Sequence, residues 1–578
     1  MPEFDSLRAG RRHRAGTESR ARGKKQDNTG GGGGGPPGPV DKRKPMTGVM
    51  DIGRSSNRGI TSVADRELIS QFDIIVTTLD YNNSTHVSNF TATLNYIRSD
   101  VANPYRNPDF KGFLYQMPYE LHGGQVTSIS RSGSVLTIVF QETPPGVTGT
   151  SSGLRLRGLT GSYAVYNGNY TSLSSWNSTS RTATVATTET TGPTAADTSY
   201  NGIAVAYTRG DARFDFVNTQ NSWSRRLGIT GRRTKWTSAF GNWDLNMTYP
   251  YSPTDSNGRT FAQYVAYFGS VTNGWGSIPG IAGFYQDNVQ SIRGDTDGNG
   301  DNGDWNRDGT SESRNGNFSG TSTSVQAAHR QGVVKFPQEH RAINSAFEVI
   351  ANADNDLNNT EYNQQYDIAF NESFAGSDTA TCVTRVANHH TYLRGNKISW
   401  YHARSYVSRG GTGLENDAAI MRRHFCRSLC IGCDCFSFSG TDESPEYTVR
   451  YRHDEYDAPL GLPVDGPISA NNGGAANRCM VRRFTNGVVI FNNSTVIGNS
   501  DTVNVAALAT AHGVAGYRKI GSADIGRTPM DASFNNGANV TSIVLAGPIN
   551  GVDPDGAGPG TASNSIIGEG VILLRTDT

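Results

Sequence analysis

The chain has 578 residues, of which 35% are hydrophobic, 18% are charged and 68 are glycine, and its acidic and basic side chains are equal in number. This length exceeds one typical domain, and the sequence lacks the run of about 18 apolar residues that a membrane-spanning helix needs. Frequent Gly, Asn, Ser and Thr favour strands and turns, which argues against a helix-rich cytosolic enzyme and indicates a multi-domain, β-rich surface or extracellular protein.

Residues 1–65 are predicted to form a disordered basic arm. Residues 1–45 contain eleven Lys and Arg against five Asp and Glu, and six consecutive glycines precede a Pro-Pro-Gly-Pro run. Such a segment buries too little apolar surface to offset the entropy lost on ordering, so a solvated tether is favoured over a nucleic-acid-binding arm. Because the start carries no apolar signal-peptide core, we expect a virion component, with an extracellular or cell-surface protein exported by another route as the alternative.

Residues 66–122 and 210–477 alternate short apolar strands with amphipathic helices, which predicts parallel β/α units and a (β/α)8 TIM barrel of the α/β class. The eight predicted strands are 72–78, 110–115, 243–248, 281–285, 347–351, 366–370, 398–401 and a cysteine-containing strand within 430–438. Most of them end in polar residues. The carboxyl ends of barrel strands form the active-site face of TIM barrels, so these polar residues are the candidates for function.

Two stretches have no helical periodicity and predict all-β domains. Residues 123–209 contain apolar segments separated by Gly, Ser and Pro, including a predicted strand at 164–166, and indicate a small all-β domain inserted between barrel strands. Residues 478–578 predict a C-terminal β-sandwich.

Six cysteines are too few for a disulfide scaffold in a chain of this length. Cys426, Cys430, Cys433 and Cys435 crowd together with the spacing C-x3-C-x2-C-x-C, which permits a zinc site. Their alternation also indicates a strand with Cys433 and Cys435 on one face, and small buried hydrophobic residues are the favoured interpretation over metal ligands.

Several motifs in the same order resemble a family of TIM-barrel, glycosyl-hydrolase-like proteins that are known mainly from sequence. The resemblance covers about residues 70–120 and 235–578 and rests on GIAGFYQDN, GDWNRDG, VIANAD, DIAFNES, VRRFTNGVVIFNN, AGYRKI and GVILLR. The inserted segment, with VTSISRSGSVLTIVF and YNGNYTS, resembles small β-modules of phage structural proteins. The resemblance implies cleavage of glycosidic bonds and a phage particle as the setting.

Glycoside cleavage needs two carboxyl groups that flank the scissile bond, one as general acid and the other as nucleophile or base. Asp287 follows the strand 281–285 and Glu372 follows the strand 366–370, so both are expected at the same barrel mouth. We predict that Glu372 is the general acid and Asp287 the nucleophile or base. The alternative is that each merely caps the helix that follows. The reserve carboxylates are Asp80, Glu120, Asp244 and Asp354.

Sugar sites also contain flat aromatic rings and hydrogen-bonding side chains. The residues of these types at predicted strand ends, which we expect to bind substrate, are Asp80, Tyr115, Glu120, Trp243, Tyr285, Asn288, Asn352, Trp400 and His402. Taken singly, each aromatic residue fits a core position better than a ligand role, and each asparagine fits a turn equally well.

An acidic segment, DTDGNGDNGDWNRDG, places oxygen ligands at alternate positions with glycines at the bends. Calcium takes six to eight such ligands, so the segment predicts a Ca²⁺ site, with a solvated acidic turn as the alternative. The predicted metal ligands are Asp295, Asp297, Asn299, Asp301, Asp304, Asn306 and Asp308. The second half resembles an EF-hand loop in which Asn315 stands at the position of the usual glutamate.

Three functions stay open. The first is a glycoside hydrolase that acts on a surface or extracellular polysaccharide as a tail- or fibre-type component of a phage virion. The second is a non-catalytic glycan-binding or structural virion protein on a barrel scaffold. The third, least favoured, is nucleic-acid contact through residues 8–25. The expected partners are a glycan and other virion proteins bound through the arm, without a membrane, and an oligomer is compatible with all three.

Overall fold

The structure is a computed structural model. It describes residues 43–51, 60, 62–78, 84–116, 120–198, 202–207, 235–237, 242–244, 247–267, 278–287, 302–303, 305–306, 308, 310, 312–352, 364–372, 374, 378–395, 397–404, 414–439, 452–473, 478–550, 565–566 and 568–578. Residues 1–42, which make up most of the predicted arm, lie outside this set. Among the helices of the described ranges, none combines the length and hydropathy needed to cross a membrane.

Eight parallel strands close into a barrel in which each strand pairs with the next one along the chain. They are β1 (Met46–Asp51), β2 (Ile74–Thr77), β3 (Lys111–Gln116), β4 (Ile281–Gln286), β5 (Glu348–Asn352), β6 (Ile368–Asn371), β7 (Ile398–Arg404) and β8 (Cys435–Ser439). The pairing of Met46 with Cys435 joins β8 to β1 and closes the barrel. The predicted fold class, a (β/α)8 barrel with additional β domains, is confirmed.

Helices lie between most of these strands in the chain. The described helices are α1 (Val63–Ser70), α2 (Ser84–Ser99), α3 (Phe261–Tyr267), α4 (Val325–Ile343), α5 (Thr379–Tyr392), α6 (Leu414–Ile431), α7 (Val505–His512) and α8 (Ser522–Ile525). Several begin at a side chain that caps the first turn. Ser324 accepts a hydrogen bond from the Ala327 amide at 3.0 Å, and Asp378 accepts one from the Thr381 amide at 2.9 Å.

The first barrel strand corrects the prediction for residues 1–65, because β1 lies within the segment assigned to the disordered arm. Gly48 explains why β1 is hard to recognise. It takes an inward position, and a Cβ atom there would overlap the indole ring of Trp400. The inward face of β1 is therefore filled partly by a side chain from β7, and its own sequence lacks the usual apolar alternation.

The predicted third strand, residues 243–248, was wrong. Asn242–Asp244 forms a short strand between Glu120–His122 and Lys235–Thr237 in a separate antiparallel sheet. The third and fourth barrel strands are instead β3 and β4, which pair directly although most of the intervening chain forms the inserted domain. A local apolar pattern does not reveal which sheet a strand joins, because strand pairing is a tertiary contact.

The inserted domain contains a seven-stranded sheet. In sheet order the strands are Gly168–Tyr170, Leu154–Arg157, Ile203–Val205, Gly124–Ser132, Val135–Phe140, Thr182–Ala186 and Ser175–Asn177. The predicted strand at 164–166 is wrong, since Gly161–Tyr166 is a 3-10 helix that buries Tyr166 and exposes Val165. Another 3-10 turn, Thr150–Ser152, precedes the second strand in this order. Ile203 and Val205 pack with Phe261 of α3 and Val333 of α4, which joins the domain to the outer layer of the barrel.

The C-terminal domain is built on a five-stranded antiparallel sheet. Its strands in sheet order are Cys479–Phe484, Gly487–Asn492, Gly570–Arg575, Tyr517–Lys519 and Asn539–Val540, and two-stranded ribbons are formed by Asp501–Val503 with Ile543–Leu545 and by Ile549–Asn550 with Ser565–Ile566. One face of the sheet packs with α7 and the first ribbon. The other face packs against α6 of the barrel. The 3-10 turn Asp454–Asp457 lies in the connecting segment.

All six cysteines are buried and none forms a disulfide. Cys435 lies in the barrel interior beside Trp400, whereas Cys433 precedes β8 and belongs to the core outside the barrel. The expectation that these two share one strand face is therefore wrong. Among the described residues no three His, Cys, Asp or Glu side chains are grouped as a metal site. Burial raises the pKa of the Cys430 thiol to about 12, as expected of a packing residue.

Candidate active site

The barrel mouth is lined by the inward side chains of six consecutive strands. Alternate residues of a strand face the same side, and Tyr285, Phe370 and Trp400 belong to the interior core, so the residues two positions further along the chain point into the mouth. The residues that occupy this level are Tyr115 on β3, Asp287 after β4, Asn352 on β5, Glu372 after β6, His402 on β7 and Ser437 on β8.

The two predicted catalytic carboxylates share one hydrogen-bond donor. The Nδ2 atom of Asn352 donates to Oδ1 of Asp287 at 2.7 Å and to Oε2 of Glu372 at 3.2 Å. These two oxygens consequently lie no more than about 6 Å apart. Both carboxylates are half-buried, whereas Asn352 is 4% exposed and lies beneath them.

Asp287 has a second donor. The hydroxyl of Tyr115 donates to Oδ2 of Asp287, and the Tyr115 ring stacks on Tyr285 with a centroid distance of 5.3 Å. Each carboxylate oxygen of Asp287 therefore accepts a hydrogen bond from a neighbouring strand. Hydrogen bonds donated to a carboxylate favour its ionised form and fix its orientation.

The opposite wall of the mouth contains a hydrogen-bonded chain of three side chains, one of which, Ser437, was not predicted from the sequence. The Nε1 atom of Trp400 donates to Oγ of Ser437 at 2.8 Å, and Ser437 lies 2.7 Å from Nδ1 of His402. The His402 ring stacks on Phe370 with a centroid distance of 5.1 Å. Ser437 stands two residues after Cys435 in β8, so strand alternation was the signal that could have found it.

The structure corrects the sugar-stacking role predicted for Trp400 and Tyr285. Trp400 is 0% exposed and Tyr285 is 1% exposed, and both rings pack against Phe370 in the barrel interior. Their faces are covered by protein and are not available to a sugar ring. Tyr115, Asn352 and His402 occupy the same level of the barrel mouth, although His402 is only 1% exposed.

The remaining predicted residues are not part of this cluster. Asp80, Asn288 and the reserve Asp354 lie outside the described residues. Glu120 pairs with Asp244, and Trp243 with Leu121, in the separate three-stranded antiparallel sheet, so none of these residues ends a barrel strand as predicted. An isolated motif in the sequence could not distinguish this sheet from the barrel.

The acidic segment lies mostly outside the described residues, which include Asn306 and Asp308 but not Asp295, Asp297, Asn299, Asp301 or Asp304. Asn302–Gly303 pairs antiparallel with Glu312–Ser313. Asn306 donates to Asp308 at 2.8 Å, and this bond together with one from the Thr310 amide holds the pKa of Asp308 below its usual range. A carboxylate that stays ionised suits a cation ligand, and the calcium site stays a prediction.

Solved structures that are similar to this chain include three enzymes. They are the glycoside hydrolase domain of PelA from Pseudomonas aeruginosa (9% identity, 68% of this chain and 94% of that chain, TM-score 0.30), the acarbose-soaked debranching enzyme of Nostoc punctiforme (10%, 81% and 92%, 0.34) and Amy13B of Eubacterium rectale (10%, 93% and 96%, 0.40). Identities and TM-scores this low carry no inference about the activity of this chain. No protein-family model matches the chain, and no curated protein is similar to it.

Proposed function

We propose that this protein is a glycoside hydrolase that cleaves a polysaccharide at the mouth of its barrel. The observation that supports the proposal is the convergence of Asp287 and Glu372, from the ends of β4 and β6, on the single amide nitrogen of Asn352. Two carboxyl groups at this spacing are what hydrolysis of a glycosidic bond requires. If Asp287 and Glu372 only capped two separate helices, a hydrogen-bond donor shared between them would not be expected.

The hydrogen bonds also support different roles for the two groups. Asp287 accepts from both Tyr115 and Asn352, so its ionised form is stabilised and it suits the nucleophile or base. Glu372 accepts from the same amide at 3.2 Å, and we assign it as the general acid, which must carry a proton to the leaving oxygen.

The setting of the enzyme is a further part of the proposal. A surface or extracellular polysaccharide fits the neutral, Gly- and Asn-rich composition, and the basic arm of residues 1–45 fits attachment to other proteins of a phage particle. The test of this setting is the presence of the protein in purified particles.

The proposed activity is tested by measuring reducing ends released from a panel of bacterial exopolysaccharides and lipopolysaccharides. Wild type is compared with Glu372→Gln and Asp287→Asn, and Asn492→Ala serves as a control because it removes a buried amide of the C-terminal domain, far along the chain from the site. Cleavage by wild type and the control, with a loss of at least about 1,000-fold in both site variants whose circular dichroism is unchanged, supports the hydrolase. Binding without cleavage, equal in all four proteins, would favour a glycan-binding protein instead.

A further inference from the structure

We infer that cleavage retains the configuration of the anomeric carbon and that Asn352 is the positioning residue that sets the geometry for retention. This inference rests on the proposed function and adds its stereochemical course. Sequence alone predicted Asn352 as a ligand of sugar hydroxyls, and it left the stereochemistry open.

The short separation of the two carboxyl groups favours retention. Retaining enzymes hold their two carboxyl groups about 5–5.5 Å apart, whereas inverting enzymes need about 6.5–9.5 Å to admit a water molecule between carboxylate and sugar. The shared donor limits Oδ1 of Asp287 and Oε2 of Glu372 to about 6 Å. An upper bound that lies below the inverting range favours direct attack by Asp287 over attack by an intervening water.

The orientation of the Asn352 amide supports its positioning role. Its NH2 group faces both carboxyl groups, and the reversed orientation would place Oδ1 against the ionised Asp287, whose Oδ1 lies 2.7 Å from the amide, so the assignment follows from electrostatics. The Oδ1 atom is buried and has no hydrogen-bond partner among the described residues. With 4% of its surface exposed, the side chain is placed to hold the carboxylates rather than to bind a sugar hydroxyl.

The reaction then proceeds in two displacements. First, an oxygen of Asp287 bonds to the anomeric carbon, the bond to the leaving oxygen breaks, and the proton of Glu372 passes to that oxygen. Next, a water oxygen bonds to the anomeric carbon, the ester bond to Asp287 breaks, and a proton of the water passes to Glu372. Each displacement inverts the carbon, and the product keeps the original configuration.

The stereochemistry is tested by proton NMR on a polysaccharide that the wild-type protein cleaves. The expected result is that the first anomer to appear matches the cleaved linkage and that added methanol is captured as the methyl glycoside of the same anomer. Release of the opposite anomer, without methanol capture, would overturn the inference and leave the hydrolase intact. If no polysaccharide of the panel is cleaved, the proposed function and this inference fall together.

The role of Asn352 is tested by steady-state kinetics of Asn352→Ala, with Asn492→Ala as the matched control. We expect kcat to fall about 100-fold with KM within about twofold of wild type, since a donor to the reacting groups is lost and no substrate contact is removed. The acidic limb of the pH–kcat profile should also move to higher pH, because the carboxylates lose a stabilising donor. An increase in KM with unchanged kcat would identify a sugar ligand and overturn the positioning role, as would kinetics identical to those of the control.

Discussion

The hydroxyl of Tyr115, near the end of β3, donates a hydrogen bond to Asp287, which directly follows the neighbouring strand β4. The two residues are far apart in the sequence and become neighbours because β3 and β4 pair with Tyr115 opposite Tyr285. Among the described contacts, the hydroxyl and the Asn352 amide together hold both oxygens of the proposed nucleophile.

Replacement of Tyr115 by Phe should lower kcat/KM about 10- to 100-fold while the fold persists. The ring would still stack on Tyr285, so only the hydrogen bond to Asp287 is lost. Tyr366→Phe is the matched control, because that hydroxyl bonds Gln286 and the Val333 carbonyl in the outer layer of the barrel. We expect the control to lower Tm with kcat/KM within twofold of wild type. Equal activity losses in the two variants would show that the Tyr115 hydroxyl has no special role.

A substitution at Gly48 tests the packing that closes the barrel. A methyl group on Gly48 would overlap the buried ring of Trp400, which has no space into which to move. We expect Gly48→Ala to destabilise the protein by about 1–3 kcal/mol, as overpacking of a core does. The measurement is urea denaturation. Gly149→Ala is the control, since a Cβ atom there meets nothing within 4 Å, and unchanged stability in both variants would contradict the packing described for β1.

The junction between the barrel and the C-terminal domain should weaken in acid. Arg422 of α6 pairs with Glu455 at 2.6 Å and with Asp531. Burial opposes the ionisation of Asp531, but hydrogen bonds from Ser533 and Arg422 outweigh it and hold the pKa of Asp531 below its usual value. A lowered folded pKa stabilises the protein above the ordinary aspartate value of about 3.9, and this contribution is lost as pH falls through the folded value.

Denaturant unfolding of wild type and Asp531→Asn from pH 7 to pH 3 measures this effect. The variant should be less stable at pH 7, because Arg422 loses one of its buried partners, and the difference should shrink below about pH 4. Asp577→Asn is a suitable comparison, because its partner Arg575 lies at the chain end and the pair is more exposed. A difference that stays constant with pH would show that Asp531 stabilises the fold by packing rather than by charge.

The cysteines should be unreactive until the protein unfolds. All six are buried, and burial raises the pKa of Cys430 and Cys479 to about 12, so little thiolate forms near neutral pH. Titration with a thiol reagent should label almost no cysteine in native protein and six in urea. Rapid labelling of the native protein, or protection that disappears on zinc chelation, would contradict the packing role.

Calcium should stabilise the acidic segment. Clustered carboxylates repel one another, and a bound cation offsets that repulsion. We expect Tm to rise with added CaCl2, to fall with EDTA, and to respond less in Asp308→Asn. MgCl2 at the same ionic strength is the control. A Tm that is independent of calcium in both proteins would favour the solvated acidic turn.

Local sequence patterns determined most of the barrel and the identity of its carboxylates. Buried apolar runs and helical spacing are properties of neighbouring residues, so β2 to β8 and the helices α2, α3 and α6 could be predicted. The strand assigned to 243–248 was the exception. The polar residues that follow buried strands, Asp287 and Glu372 among them, could be placed at one mouth because all strands of a barrel end on the same face.

Tertiary structure alone decided how those residues meet. β1 is recognisable only once Trp400 fills the space above Gly48, and the bridge from Asn352 to both carboxylates depends on the register of β4, β5 and β6. Ser437 belongs to the mouth because it forms hydrogen bonds with Trp400 and His402 on the adjacent strand. These contacts join residues that the chain separates by tens or hundreds of positions, and closure of the barrel, which no local pattern encodes, brings them within hydrogen-bonding distance.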